Sequence, residues 1–137
     1  MTDKLTFDVV TMEKVVFSAE ADVVSAPTKS GQISILKDHD DLVSIIEAGE
    51  IVIQSGSEKT SLATGGGFLE VRNNVVTILA DSAEHPEDIN VEKAELARQE
   101  ALEIVRGKQS DDMNFDDALE ALEHARIRLK VAKKDKE

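Results

Sequence analysis

The sequence predicts a mainly β protein with α-helices at its end: an N-terminal antiparallel β-sandwich over residues 1–87, then an antiparallel two-helix hairpin over residues 88–137. Three observations support this fold class. The first part contains short runs rich in Val, Ile, Thr and Phe. Turn-forming Gly, Pro, Asn and Ser separate these runs. The second part changes to the apolar spacing of helices and is rich in Ala.

Nine short segments of the first part are predicted strands. Several alternate apolar with polar residues, which is typical of a strand with one buried face. Many short strands at this spacing indicate a sandwich or barrel. The predicted strands are 5–10, 14–18, 21–26, 32–36, 42–46, 50–54, 59–63, 68–71 and 75–80. Asn73-Asn74 suits a two-residue hairpin turn, because Asn tolerates the positive φ angles that this turn needs.

Three consecutive glycines, Gly65-Gly66-Gly67, raise the question of a phosphate-binding loop. Such a loop joins a strand to a helix and carries spaced glycines with a Lys and a Ser or Thr. Here the glycines lead into the strand FLEV, and the motif GxxxxGK[ST] does not occur. The context favours close backbone approach or a bulge at the entry to a strand over nucleotide binding.

The second part is predicted to form two helices that Asn90 and Asn114 cap, with Gly107 ending the first and the polar segment KQSDDM linking them. The apolar positions are Ala94, Ala97, Ala101, Ile104 and Val105 on the first helix and Ala118, Leu122, Ala125, Leu129 and Ala132 on the second. Such a small-residue seam lets two helices approach closely but buries little apolar area. We therefore expect a hairpin that can detach from its neighbours at low energetic cost.

Composition and charge exclude several function classes. The 137 residues include no Cys, Trp or Tyr, and the net charge is −12. Without Cys there are no disulfides or thiolate metal sites. The acidity and the few aromatic residues argue against binding nucleic acid. No apolar run approaches the ~20 residues of a membrane span, and the N-terminus MTDKLTFDVV lacks a signal-peptide pattern. These features indicate a soluble intracellular protein.

The candidate chemical residues do not combine into a catalytic site. His39 lies among three Asp in LKDHDDL, which fits a metal site or, with more support, a solvated polar loop. Asp81 and Glu84 would be a carboxylate pair, but charged strand ends are ordinary. The serines lack a nucleophile-elbow context. We predict no enzymatic activity, no metal and no cofactor.

The end of the chain is basic. The last 14 residues, HARIRLKVAKKDKE, carry six bases and two acids. Bases at a helix C-terminus interact favourably with the helix dipole, and they also fit a docking surface for an acidic partner. Both interpretations stay open. The expected contact charges are Arg126, Arg128, Lys130, Lys133 and Lys134.

The order of these features resembles the epsilon subunit of bacterial and chloroplast F-type ATP synthases over nearly the whole chain. SGQISILKDHDDL looks like that family's Gly-x-x-x-Ile-Leu-x-x-His-x-x-Leu segment. GGGFLEVRNNVVTILADSAE looks like its Gly-Gly-Phe-x-Glu-Val strand pair, and ALEALEHARIRLKV is similar to its last helix. The resemblance implies a sandwich of about ten strands followed by a two-helix hairpin, in a subunit that is not catalytic.

The resemblance also implies partners. With the gamma subunit, such a chain forms the foot of the rotating central stalk on the c-ring and couples proton flow to ATP synthesis. Its hairpin folds on the sandwich or extends to the catalytic alpha and beta subunits, where the basic helix meets an acidic beta segment and blocks ATP hydrolysis. It is a monomer in the complex, peripheral and not inserted in the membrane. We expect the cytoplasmic side of a bacterial plasma membrane, with the thylakoid as second choice.

Individual positions follow from the same resemblance. His39 matches the family's His, and the loop around it, with Leu36 and Leu42, resembles the part that faces the c-ring. Lys37-Asp38 stand where the family often has Pro-Gly.

Some family members bind ATP between the helices through an Ile-Asp-x-x-Arg-Ala motif. The positions that match this ATP site are Glu84, Ile89, Asn90, Lys93, Ala94 and Arg128. Lys in place of Arg loses the planar bidentate fork. Two further basic positions of the family are Asp117 and His124 here, and an acid repels a triphosphate. We predict weak or absent ATP binding.

Two other hypotheses stay open. The chain would be a stand-alone sensor of a small ligand or nucleotide if its hairpin folded on that ligand. It would be an enzyme only if a catalytic constellation existed that the sequence does not reveal.

Overall fold

The computed structural model describes residues 4–107 and 114–135, and the chain divides into two compact units, Met1–His85 and Pro86–Glu137. The predicted link at residues 108–113 and the side chains of Lys134 and Asp135 lie outside the described residues. The strands are β1 (Leu5–Val10), β2 (Val15–Ala21), β3 (Val23–Thr28), β4 (Gly31–Leu36), β5 (Leu42–Ile46), β6 (Gly49–Ser55), β7 (Glu58–Thr64), β8 (Gly67–Arg72), β9 (Val75–Ala80) and β10 (Ala83–Glu84). A 3₁₀ turn (Pro86–Asp88) precedes α1 (Val91–Val105) and α2 (Phe115–Asp135).

The strands form one continuous hydrogen-bonded path. Its order is β10-β7-β6-β3-β5-β8-β9-β1-β2, and β4 pairs with β3. The pairings among the described strands are antiparallel except that of β1 with β9, which is parallel. The predicted sandwich followed by two helices is confirmed, but a wholly antiparallel sheet is wrong at this one pair. The two strands are separated by the rest of the sandwich, so no short turn forces them to be antiparallel.

The core lies between the inward faces of the strands. In β1, Leu5, Phe7 and Val9 are fully buried, whereas Thr6 between them is exposed. The same alternation recurs in β8 and β9. A fully buried side chain of this kind contributes roughly 1.5–3 kcal/mol. The hydrophobic pattern therefore sets which face of each strand points inward.

Two details of the strand prediction differ from the structure. β10 was not predicted from the residue pattern, since it has only two residues and exists through its pairing with β7. The strands predicted at 14–18 and 21–26 have different bounds in the structure, Val15–Ala21 and Val23–Thr28. Pairing of β2 with β1 extends to Ala21, opposite Leu5.

The consecutive glycines stand where backbones approach closely. Gly66 and Gly67 have φ angles of 109° and 151°. A Cβ at Gly67 would lie 2.1 Å from the carbonyl oxygen of Leu79 and 2.8 Å from the Cα of Ala80. Gly67 begins β8, and no helix follows it before residue 86. The prediction that these glycines shape the entry to a strand is confirmed.

Both helices begin at the predicted caps. The side chain of Asn90 accepts a hydrogen bond from Lys93 N at 3.0 Å, and that of Asn114 accepts one from Asp117 N at 2.8 Å. Gly107 follows α1 with a φ of 89°, the left-handed conformation that glycine favours. Within residues 4–107 and 114–135, neither helix combines the length and hydrophobicity of a membrane-spanning helix.

The two helices pack against each other. The predicted positions of α2 are all buried, and Val131 is buried with them. On α1 the prediction is wrong at Ala97, which is exposed, while Arg98 is half-buried. Arg98, four residues after Ala94, lies closer to the buried face of the helix than Ala97, three residues after it. The aliphatic part of an Arg side chain can also cover apolar surface.

Candidate partner-binding surfaces

The loop that carries His39 is a tight turn between β4 and β5. The carbonyl oxygen of Leu36 accepts a hydrogen bond from His39 N at 3.1 Å. The Nδ1 of His39 lies 2.7 Å from the carbonyl oxygen of Asp40, so the ring is fixed against its own loop. Leu36 is 53% exposed at the end of β4. This turn therefore has an exposed apolar side chain at its first residue and a half-buried imidazole at its last, three positions later.

Leu42 has a different environment from Leu36. It begins β5, is half-buried and packs against the core of the sandwich. Its side chain therefore faces the core of the sandwich, unlike the exposed side chain of Leu36. A contact of Leu42 with a partner stays a prediction.

A second turn meets this loop. Asn73 and Asn74 connect β8 to β9 with φ angles of 49° and 62°, as predicted for a two-residue hairpin turn. The two turns line one open recess, whose residues are Asp38, His39, Asp40, Asp41, Asn73 and Asn74. Over the part of the chain that the structure describes, no three His, Asp or Glu side chains come together as metal ligands would. The recess is therefore polar surface without a metal-binding geometry.

An apolar row crosses the outer face of four adjacent strands. Ile45 on β5 is opposite Phe68 on β8, Phe68 is opposite Leu79 on β9, and Leu79 is opposite Val10 on β1. Directly paired residues point to the same face of a sheet. Ile45, Phe68 and Leu79 are 51%, 57% and 49% exposed. We call Val10, Ile45, Phe68 and Leu79 the apolar row.

This surface was not predicted from the sequence. Its signal is a pair of consecutive apolar residues in each of the four strands: Val9-Val10, Ile45-Ile46, Phe68-Leu69 and Ile78-Leu79. One member of each pair must point away from the core, because side chains alternate along a strand. The buried members are Val9, Ile46, Leu69 and Ile78.

The surface beside the apolar row is mixed. The residues two positions from the apolar row lie on the same face of the sheet. Among them, Val43 is opposite Glu70, and Thr77 is opposite Asp8. Val43 is 72% exposed, and Glu70 is exposed as well. The apolar row thus has an acidic neighbour on one side, which would complement a basic group on a partner.

Charge is divided along α2. Its first turns expose Asp116, Asp117 and Glu120. The predicted contact charges lie in its second half, where Arg126, Lys130 and Lys133 are exposed and Arg128 is half-buried. The backbone of Lys134 belongs to α2, but its side chain is outside the description. The described bases form a cationic surface along the end of the helix.

Glu95 on α1 has a lowered pKa. The Nε of Arg98 donates a hydrogen bond to Glu95 Oε1 at 2.9 Å, and a second nitrogen of the guanidinium contacts the same oxygen. This hydrogen bond holds the pKa of Glu95 below its ordinary value, and the positive charges of Arg98 and Lys133 act in the same direction. Because Lys133 belongs to α2, part of this effect reports the pairing of the two helices.

We expect the Glu95 interaction to weaken in acid. A carboxyl whose pKa is lower in the folded state stabilises that state above its unfolded pKa of about 4.3, and the contribution is lost as pH falls through the folded value. In a carboxyl-carbon NMR titration, Glu95 should titrate below pH ~4.3. Arg98→Gln should move the midpoint upward, whereas Arg106→Gln should not. An unchanged midpoint in Arg98→Gln would contradict this assignment.

Three of the positions that match the family's ATP motif have structural roles in this chain. Ile89 and Ala94 are buried. The side chain of Asn90 caps α1, and Lys93 is exposed. Glu84 ends β10 in the first unit. Packing and capping are therefore the local roles of Ile89, Asn90 and Ala94.

We expect no micromolar ATP binding. The planar guanidinium of the family motif is replaced by Lys93, and Asp117 adds a negative charge where the family has a base. Calorimetric titration of the full chain with Mg-ATP should give no saturable heat up to about 100 μM, where a micromolar site would be filled. The variant Asn90→Asp, Lys93→Arg and Asp117→Arg is the positive comparison and should gain affinity. Micromolar binding by the unaltered chain would contradict the prediction.

Comparison with known proteins identifies the family. The model of the ATP synthase delta/epsilon chain β-sandwich domain matches residues 4–86, and the model of the long α-helix domain of the same chain matches residues 87–133. The chain is 43% identical over 131 residues to the ATP synthase epsilon chain of Dehalococcoides mccartyi, covering 96% of this chain and 94% of that one. It is 41% identical over 125 residues to the ATP synthase epsilon chain of Desulforamulus reducens, covering 91% and 94%.

Solved structures share the fold. A chain of the Euglena gracilis mitochondrial ATP synthase, from a cryo-EM structure of OSCP, F1 and the c-ring, superposes with a TM-score of 0.80 at 20% identity. The match covers 97% of this chain and 83% of that chain. A chain from the central stalk and c-ring of the Tetrahymena thermophila mitochondrial ATP synthase gives 0.60 at 14% identity, covering 93% and 95%. Since both domains match in order and the bacterial relatives match over most of their length, the chain belongs to the family of F-type ATP synthase epsilon subunits, which are not catalytic.

Proposed function

We propose that this chain couples the gamma subunit to the c-ring in the rotor of an ATP synthase, and that its hairpin restrains ATP hydrolysis. The observation that carries the coupling role is the apolar row. A contiguous exposed apolar surface on a sheet face is typical of a binding interface. An aromatic residue at its centre, with an acidic neighbour, is suited to a partner surface that is apolar and has a basic group beside it.

The sandwich offers a second surface at the other end of the same strands. The apolar row crosses β8 and β9 where they meet Gly67 and Ala80, and the Asn73-Asn74 turn joins their opposite ends. Leu79 lies five positions after Asn74 along extended strand, a distance of about 16 Å. We assign the apolar row to the gamma subunit and the turns around His39 to the c-ring.

This arrangement suits the transmission of torque. β8 and β9 are hydrogen-bonded in register from Gly67 opposite Ala80 to Arg72 opposite Val75. Both strands also pair with a further neighbour, β5 and β1 respectively. A strand pair held on both sides resists shear, because many ladder hydrogen bonds would have to break together. A force applied at one end would therefore reach the other with little loss.

The hairpin supplies the regulatory element. Its buried positions on α1 are the small residues Ala94 and Ala101, so α1 contributes little apolar area to the hairpin, and the larger buried side chains lie on α2. The exposed bases at the end of α2 would bind an acidic segment of a catalytic beta subunit once the hairpin extends. Such a two-state element can restrain rotation in one position and release it in the other.

The test uses membranes of the source organism depleted of the epsilon subunit. The full chain, or the full chain with Arg126, Lys130 and Lys133 each replaced by Glu, is added back, and ATP hydrolysis and proton-coupled synthesis are measured. We expect both proteins to restore coupled synthesis and to sediment with the membranes at the F1-bearing face, the cytoplasmic side in a bacterium. Only the unaltered chain should slow hydrolysis.

The outcomes separate the two parts of the proposal. If the rate of ATP hydrolysis were the same with the unaltered chain and with the charge-reversed variant, the regulatory role of the basic surface would be contradicted. The coupling role would be unaffected by that result. Failure of the unaltered chain to restore coupling would overturn the coupling role itself. The matched control replaces the acids Asp116, Glu120 and Glu123 of the same helix by Lys, and it should not abolish the slowing of hydrolysis.

A further inference from the structure

We propose that Asn74 is a positioning residue for the His39 loop: it clamps the β4–β5 turn to the β8–β9 turn, so that both turns form one docking surface for the c-ring. This inference rests on the proposed function, since it concerns the end of the sandwich assigned to the ring. Asn74 is 35 positions after His39 in the sequence. It would shape the docking surface by holding the His39 loop, without itself having to contact the partner.

The clamp is a reciprocal pair of hydrogen bonds between the two turns. Asp38 N donates to the Asn74 Oδ1 at 2.6 Å, and Asn74 Nδ2 donates to the Asp38 Oδ1 at 3.2 Å. The Asn74 side chain thus uses its acceptor and its donor on one residue of the opposite turn. A parallel tie runs beside it, from Asn73 N to Asp41 Oδ1 at 3.3 Å.

Asn74 is itself firmly held. Its carbonyl oxygen accepts a hydrogen bond from Thr6 N of β1 at 2.9 Å. The β8–β9 turn is therefore anchored to a third strand, while the β4–β5 turn is anchored by the clamp. Surface loops are in general more mobile than the strands they connect. Asn74 ties one such loop, the β4–β5 turn, to the sheet that carries the apolar row.

The conformation of Asp38 explains why a clamp is needed. Asp38 has a φ of 66°, in the left-handed region that L-residues other than Asn and Asp seldom adopt. In the turn closed by Leu36 and His39 it is the third residue, where a type II turn needs positive φ and prefers Gly after Pro. Lys37-Asp38 lack both preferences. The Asn74 side chain compensates by holding the Asp38 amide directly.

The consequence is a docking surface of two turns with one fixed shape. His39 follows Asp38 immediately, and its amide closes the same turn. Loss of the clamp would let the turn sample other conformations, and docking would then have to order it again. That ordering lowers affinity without removing any contact to the partner.

The experiment compares Asn74→Gly with Ser30→Gly in the full chain. Glycine at position 74 keeps the positive φ of the turn, and both substitutions add similar freedom to the unfolded chain. Only Asn74→Gly removes the clamp, since Ser30 is an exposed residue of the β3–β4 turn, outside the apolar row and outside both turns of the docking surface. The first readout is hydrogen exchange of the Asp38 amide. The second is the affinity of each protein for epsilon-depleted ATP synthase, with thermal unfolding recorded alongside.

We expect Asn74→Gly to speed exchange of the Asp38 amide and to weaken binding about tenfold. Ser30→Gly should leave both within about threefold of the unaltered chain, at a similar melting temperature. Equal exchange and equal affinity in the two variants would overturn the inference. If the unaltered chain does not bind the depleted enzyme, the docking role fails together with the proposed function, whereas protection of the Asp38 amide still reports whether the clamp exists.

Discussion

Replacing Gly67 by Ala is expected to lower the free energy of unfolding of the sandwich by about 3 kcal/mol or more. The added methyl group would lie 2.1 Å from the carbonyl oxygen of Leu79, and its nearest neighbours are backbone atoms. Since a flexible side chain cannot simply turn aside, β8 and β9 would have to separate. The positive φ of 151° adds strain to this clash. The expected fall in melting temperature is about 12 °C or more.

Gly56→Ala is the matched control for this prediction. Gly56 also has a positive φ, 62°, but an added Cβ would meet nothing within 4 Å. Its replacement should cost only the strain of the left-handed conformation, about 1 kcal/mol. Thermal unfolding of the full chains, followed by circular dichroism, compares the two. Equal losses would show that conformational strain, and not the close approach of strands, explains the glycine at position 67.

Phe68→Asp is expected to weaken the association with epsilon-depleted ATP synthase about a hundredfold. Phe68 lies in the middle of the apolar row, opposite Ile45 on one side and Leu79 on the other. Central aromatic residues account for a large part of the binding energy of interfaces, and a buried unpaired carboxylate would add to the loss. Because the side chain is 57% exposed in the free chain, the sandwich itself should stay folded.

The control for this prediction is Leu96→Asp. Leu96 lies on α1 and has the same exposed fraction, 57%. Its replacement introduces the same charge at an apolar position outside the apolar row, and we expect an affinity within about threefold of the unaltered chain. Surface-immobilised enzyme and a concentration series of each full chain give the dissociation constants. Similar affinities for both variants would refute the assignment of the apolar row to gamma.

Much of the fold could be predicted because local pattern and tertiary structure agree. Strand β1 alternates buried and exposed side chains as an amphipathic strand should. The caps Asn90 and Asn114 lie where their hydrogen-bonding capacity predicts. In each case the deciding interactions are within a few residues, and a sequence shows these directly.

The remaining features depend on residues that are distant in sequence. The parallel pairing of β1 with β9 joins Thr6 to Val75, and no local pattern specifies its direction. β10 exists only because β7 offers a partner. The exposure of Ala97 depends on which face of α1 packs against α2. Short pattern windows cannot reveal such choices.

The candidate surfaces divide in the same way. His39 and the basic end of α2 were found from their residues and from the family resemblance. The apolar row was missed because its four members come from four strands. Asp38 looked like one of several loop acids, and only the contact with Asn74, 36 residues away, gives it a distinct role. A surface assembled across a sheet is a property of strand pairing.

The position of β1 between β2 and β9 has a consequence for biosynthesis. β1 leaves the ribosome before the other nine described strands and contributes Leu5, Phe7 and Val9 to the core, yet its parallel partner is β9. Contacts of such long sequence separation form late and slow the folding of β-sheet domains. During translation, β1 and β2 therefore lack the parallel partner of β1 until β9 has emerged from the ribosome. In that interval the apolar side chains of β1 are exposed, and we expect them to be the part of the nascent sandwich that a chaperone or the ribosome surface binds.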